Sequence, residues 1–219
     1  MPPIEAIIAF TAIVTLIVTS PGPNLFLLLR TAPTFGRAAG LANTFGFSAA
    51  ILSHALLSLI GVGAIIATSA VAFSVLKVAG AIYLIWLGLK ALKSAWYGGI
   101  SIKVQPTSAT DTDNSGRKLR KRFVEGYLTN ILNPKPAIFY LAAFPQFIVV
   151  GGLPIFIQGI SLGLIHAAIA IVWYGSVVFG IASISQWIRR PLVWRWVQTI
   201  SGTALIALGG RLLFVRQAT

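Results

Sequence analysis

Two short clusters in this chain combine proline, which interrupts a helix, with asparagine, which both donates and accepts hydrogen bonds. They are Pro21-Gly22-Pro23-Asn24, and Asn133-Pro134-Lys135-Pro136 with Asn130 one turn earlier. Proline inside a helix removes a backbone hydrogen bond and clashes with the preceding turn, at a cost of about 3 kcal/mol. Each break frees backbone N–H groups and leaves a partial positive charge at the start of the helix that follows. An α-carboxylate suits such a place, and the amides of Asn24, Asn130 and Asn133 suit an ammonium or hydroxyl group. The alternative is a pair of kinks in which each asparagine caps its own helix. His54 and His166 each stand alone in an apolar stretch, either as hydrogen-bonded packing residues or as groups that change charge near neutral pH. Lys135 lies against the second break and Lys77 opens an apolar segment; either could instead extend its ammonium to a membrane interface. Glu125 is an anchor for Lys121 or Arg122, or else a proton acceptor. With two His, no Cys, four acidic residues and no HExxH spacing, neither a metal site nor a cofactor is expected.

The elements that hold these residues must be membrane helices. Of 219 residues 57% are apolar and 10% charged, whereas a soluble domain is about half apolar and about a quarter charged. Residues 6–29, 38–76 and 136–188 contain no charge, and a helix needs about 20 apolar residues to cross the hydrocarbon. The small and polar Ala67-Thr68-Ser69-Ala70 divides the second run, Gly151-Gly152-Leu153-Pro154 divides the third, and a last segment covers about 192–214. The expectation is an all-α integral membrane protein with six transmembrane helices, helices 1 and 4 being broken at Pro and Asn. Residues 1–93 hold the first three, 94–122 form a basic polar linker with Gly98-Gly99, Asp111 and Asp113, and 123–219 hold the rest. The start lacks the basic region of a cleaved signal peptide and is read as retained.

Orientation follows from Lys and Arg. Of the seventeen, thirteen fall in the first, third and fifth connections, among them Arg30, Arg37, Arg117, Arg122, Arg189, Arg190 and Arg195. Those connections are therefore expected in the cytoplasm, with both termini outside, in the cytoplasmic (inner) membrane; Arg216 alone argues the other way. Trp96, Tyr97, Trp187, Trp194 and Trp196 fall at the same ends, where aromatic belts belong. The basic linker reads as a loop near anionic lipid, so nucleic acid is not an expected partner.

Three spans per half make any internal symmetry inverted. Pro-Asn breaks recur in segments one and four, His54 and His166 in two and five, and Gly80 with Gly88 and Gly202 with Gly210 in three and six. In this order the residues resemble a known family. Pro21-Gly22-Pro23-Asn24, Arg37-Ala38-Ala39-Gly40-Leu41, Gly46 to His54, residues 76–88, and residues 123–147 with Gly126, Asn130 and Asn133-Pro134-Lys135 are similar to the lysine exporter and homoserine/threonine resistance (LysE/RhtB) family. The match is strongest before residue 150. The resemblance implies a six-span secondary transporter that exports amino acids by alternating access, driven by the proton gradient. Its partners would be a small amino-acid substrate, protons and the bilayer, and a homo-oligomer is compatible with it. Family members that export basic amino acids often carry an aspartate three residues before the position of His54, where this chain has Ile51. An unpaired cation in the membrane is costly, so a neutral substrate such as threonine, homoserine or a branched-chain amino acid is expected. The other readings are an exporter of basic amino acids, of another small metabolite or of a metal ion, a membrane-embedded enzyme, or a scaffold.

Overall fold

A computed structural model describes residues 3–68, 70–97, 116–149, 153–180 and 190–214. Among them all regular structure is helical. Helix α1 (Ile4–Thr19) stops because Ser20 precedes Pro21: a residue before proline is pushed out of the helical region, and Ser20 is extended, at φ −64° and ψ 125°. Helix α2 (Pro23–Thr68) resumes with proline in its first turn, where the missing N–H costs nothing. A second corner lies at Gly36, whose φ of 84° and ψ of 170° divide α2 into 23–35 and 37–68; a side chain there would strain the backbone. Helix α3 (Ala70–Tyr97) follows.

The second half begins in the same manner. Helix α4 (Gly116–Ile131) ends before Asn133, which is extended (φ −75°, ψ 118°) because Pro134 follows it. Helix α5 (Pro134–Ile138) restarts with the Lys135 N–H capped by the Asn133 side chain, and passes into a π turn (Phe139–Ala143) and a 3₁₀ turn (Phe144–Phe147). Pro145 has no N–H for the regular ladder, which accounts for the change of winding ahead of it. Helices α6 (Ile155–Phe179) and α7 (Pro191–Phe214) follow among the described residues.

Pairwise contacts give each helix its direction. Residues 37–68 of α2 run parallel to α4, Asn43 meeting Gly126 and Ser58 donating to the Tyr140 carbonyl farther on (2.5 Å). They run antiparallel to α6, with Gly40 on Val178 and Leu59 on Gly159. Helix α1 is parallel to α6, from Phe10 beside His166 to Val18 beside Tyr174. Helix α3 is antiparallel to α7, from Ala81 with Gly209 to Ser94 with Trp194. Small residues allow these approaches. A Cβ on Gly46 would collide with the Phe123 carbonyl and one on Gly126 with the Asn43 backbone, while Gly88 and Gly202 each face the other's carbonyl.

The outer surface is apolar. Ile8, Leu57, Ile60 and Val172 are each exposed, a distribution that belongs in lipid. Among the described residues, three helical stretches are long and apolar enough to cross a membrane unaided: Pro23–Gly61, Val78–Tyr97 and Ile155–Phe179. At about 24 Å, the 16 residues of α1 fall short of the hydrocarbon and need 23–35 to extend them.

Two boundaries differ from expectation. Residues 94–97 and 116–122, expected in the linker, are helical, because hydropathy separates apolar from polar while Arg, Lys and Leu are all good helix formers. The linker residues 98–115 with Asp111 and Asp113, Ser69, Gly151-Gly152, Trp187, Arg189 and Arg216 lie outside the described residues, as do the side chains of Lys77 and Arg211.

Candidate functional site

The two breaks lie against each other, and the residue after each first-turn proline crosses to the opposite break. From α5, the Lys135 ammonium donates to the Ser20 carbonyl (3.1 Å), the Ser20 hydroxyl (3.2 Å) and the Pro21 carbonyl (3.3 Å). It thus supplies the carbonyls that α1 leaves free at its negative end. From α2, the Asn24 amide nitrogen donates to Asn130 Oδ1 on α4 at 3.2 Å, and lies 3.5 Å from the Tyr174 hydroxyl. The register is the same on both sides. Gly22 accepts from the Phe26 N–H, and Asn133 from the Ala137 N–H.

Asn130 is the knot of the site. Its amide nitrogen donates to the Phe47 carbonyl at 2.7 Å, and its own carbonyl lies 3.3 Å from His54 Nε2. A carbonyl only accepts, so that ring nitrogen carries the proton. Asn133 is committed locally, its Oδ1 accepting the Lys135 backbone N–H at 3.1 Å. The amide thus takes the α5 start that the sequence offered to a carboxylate, and the positive group facing the break is the Lys135 side chain. Asn24, Asn130, Asn133, His54 and His166 are all buried. Asn24 Oδ1 has no partner there.

The histidines are brought together through a residue the sequence did not single out. Tyr140, in the π turn, lies between them: its ring is nearly parallel to His54 (5.9 Å between centroids) and to His166 (5.6 Å), and its hydroxyl is 3.0 Å from His166 Nδ1. Tyr174 and Ser20 were also missed. Tyr174 donates to the Val18 carbonyl at 3.3 Å, so it bridges α6 to both parts of the first broken helix. Its signal was a tyrosine hydroxyl two turns after His166 in an uncharged run; Ser20 was legible as the residue before Pro21. Glu125 lies apart from this group. It pairs with Arg122 (2.7 Å) and with Arg30 (2.6 Å), joining α4 to the end of 23–35.

Space follows the same geometry. A void of about 20 Å³ lies between the breaks, lined by Ser20, Gly22, Asn24, Ile51, Asn130, Asn133, Lys135, His166 and Tyr174 with their neighbours. It has room for about one water. A cavity of about 410 Å³ touches the same breaks at Pro21, Gly22, Pro23, Asn133, Pro134 and Lys135, and extends between α3 and α7 to Trp86, Lys90, Ser94 and Trp194. That volume is within the range of small-molecule sites. Among the described residues no three His, Asp or Glu side chains come together as metal ligands.

Comparison with known proteins gives a consistent result. The family model described as "LysE type translocator" matches residues 15–216. An uncharacterised membrane protein of Bacillus subtilis is 29% identical over 94% of this chain and 97% of its own length. A homoserine/homoserine lactone efflux protein of Salmonella typhimurium is 31% identical over 93% of this chain and 94% of its own. A threonine efflux protein of Escherichia coli K12 is 30% identical over 59% of this chain and 60% of its own. No solved structure matches.

Proposed function

The chain belongs to the LysE type translocator family, and from that premise we propose that it is a secondary exporter of neutral amino acids in the cytoplasmic membrane, driven by the proton gradient. The observation that carries this reading is the 410 Å³ cavity bounded by both helix breaks, because irregular backbone at membrane depth belongs where it lines a cavity. Pro21, Gly22, Pro23, Asn24, Asn130, Asn133, Pro134 and Lys135 are the substrate-site residues. Six spans form two inverted three-helix repeats, 1–93 and 123–219. The shared register of Gly22-Pro23-Asn24 with Asn133-Pro134-Lys135 and the alternating directions of the packed helices support that arrangement.

The cavity extends to Lys90 and Ser94 at the basic ends of the helices. With Lys and Arg facing the cytoplasm, substrate loads from that side, and both termini face out. The substrate class is supported by Ile51, an apolar residue in the lining where an acid would balance a cationic side chain, and by relatives named for homoserine and threonine efflux. His54 and His166, joined through Tyr140, are the proton-coupling groups of this reading. Glu125, held by two arginines, anchors the cytoplasmic ends instead.

Counterflow in proteoliposomes tests the proposal. Purified protein loaded with unlabelled threonine, homoserine or leucine should accumulate the labelled amino acid transiently, with lysine far less effective. Equal counterflow of lysine would end the neutral preference, and no counterflow of any amino acid would end the exporter reading.

A further inference from the structure

Resting on the exporter reading, we propose that Lys135 and Asn24 are the two poles of a zwitterion clamp. Lys135 takes the substrate's α-carboxylate and Asn24 Oδ1 takes its α-ammonium. Lys135 gives up its hold on the end of α1 as the carboxylate arrives.

Lys135 carries a formal positive charge toward three neutral oxygens, two on Ser20 and one on Pro21. Among the described residues no carboxylate pairs with it: Glu125 is engaged by Arg30 and Arg122, and Glu5 lies in the first turn of α1. Lys135 is half-buried, and a cation withdrawn from water without a counter-charge is costly. A carboxylate supplies the full charge that a carbonyl dipole lacks, so the ammonium's charge–dipole contacts become an ion pair with hydrogen bonds in which both partners are ionised. Exchange of the α1 carbonyls for a carboxylate is therefore favourable for the ammonium.

The second pole is an orphan. Asn24 is 6% exposed, and its amide nitrogen is committed to Asn130 Oδ1, so the oxygen must point away from that contact. That oxygen is buried and accepts from nothing. A buried acceptor without a donor is rare and costly, and an ammonium brings three donors. Asn24 and Lys135 hold equivalent positions after Pro23 and Pro134 and line the same void. The void itself is far too small for an amino acid, while the adjoining cavity shares Ser20, Gly22, Asn133 and Lys135 with it. A substrate entering from the larger cavity therefore meets Lys135 first. Its ammonium reaches Asn24 once Lys135 and the end of α1 separate, which makes carboxylate binding the step that opens the passage.

The test is competition against labelled threonine and labelled leucine in proteoliposome counterflow, at a pH of about 6, below the α-amino range. The competitors are each free amino acid, its carboxamide and its N-acetyl derivative. In the unaltered protein the carboxamide and the N-acetyl compound should each compete about 10- to 100-fold more weakly than the free amino acid, as loss of one charged hydrogen bond predicts. In Lys135→Met the acid should fall to the level of the carboxamide. In Asn24→Leu it should fall to that of the N-acetyl compound. Equal competition by acid and carboxamide in the unaltered protein overturns the clamp whether or not the variants fold, as does a Lys135→Met protein that still prefers the acid. No saturable counterflow with threonine, leucine, homoserine or any other amino acid overturns the exporter reading itself.

Discussion

At the scale of single residues, Asn130 and His54 separate structure from coupling. Asn130 satisfies the Phe47 carbonyl and Asn24 with its side chain, and a buried group left without its partner costs about 1–3 kcal/mol. Asn130→Leu removes both contacts at similar volume, so it should destabilise the detergent-solubilised protein by about 2 kcal/mol or more, read as a lowered thermal unfolding midpoint. Asn133→Ala removes only a cap and should cost about 1 kcal/mol. A smaller loss for Asn130→Leu than for Asn133→Ala would contradict the central role given to Asn130. His54 faces a carbonyl on one side and the Tyr140 ring on another. Counterflow needs the substrate path alone, whereas uphill export needs the proton path too. His54→Leu should retain counterflow and lose accumulation driven by an imposed pH gradient. Unimpaired uphill export by the variant would reduce the histidine to a packing residue.

At the scale of elements, what could be read in advance was what local chemistry decides. Both breaks follow from a residue forced out of the helix by the proline after it, Ser20 before Pro21 and Asn133 before Pro134, and that information is contained in a dipeptide. The crossing of Lys135 to Ser20 and of Asn24 to Asn130 spans more than a hundred residues. It depends on which helix faces meet, and no local pattern encodes that. Tyr140 escaped notice for a related reason: its orientation depends on the π turn, where the ring no longer lies at regular helical spacing. Glycines mark the contacts without naming the partner, and their substitution should reveal two different costs. Gly126→Ala drives a methyl group into the Asn43 backbone, which cannot yield as a side chain would; loss of folded protein on size-exclusion chromatography is expected. Gly36→Ala meets open space, but at φ 84°. Its cost is backbone strain of about 1–3 kcal/mol, which should leave a folded protein with a lowered unfolding temperature. A Gly126→Ala variant as stable as Gly36→Ala would show that α2 and α4 pack less closely than described.

At the scale of the whole molecule, the position of the cavity and the distribution of charge make one claim about sidedness. The cavity extends from the breaks to Ser94 near the end of α3, and the Ser94 carbonyl accepts from the Trp194 indole at 3.3 Å. Lys93 and Arg195 are next in sequence to these two residues. The opposite ends of the helices carry apolar residues, Phe156 in the first turn of α6 among them. If Lys and Arg mark the cytoplasmic face, the cavity reaches from the breaks toward the cell interior, as an exporter awaiting substrate requires. The chain has no cysteine, so single thiols can be introduced without altering a background. Ser94→Cys should react with a membrane-impermeant maleimide in inside-out vesicles and resist it in intact cells, and the transported amino acid should slow that reaction by filling the cavity. Phe156→Cys should react in intact cells and show no such protection. Reversal of the two patterns would invert the membrane orientation and turn the loading side outward. Labelling of Ser94→Cys at an unchanged rate in saturating substrate would detach the cavity from the transport path and leave the breaks without a route to the cytoplasm.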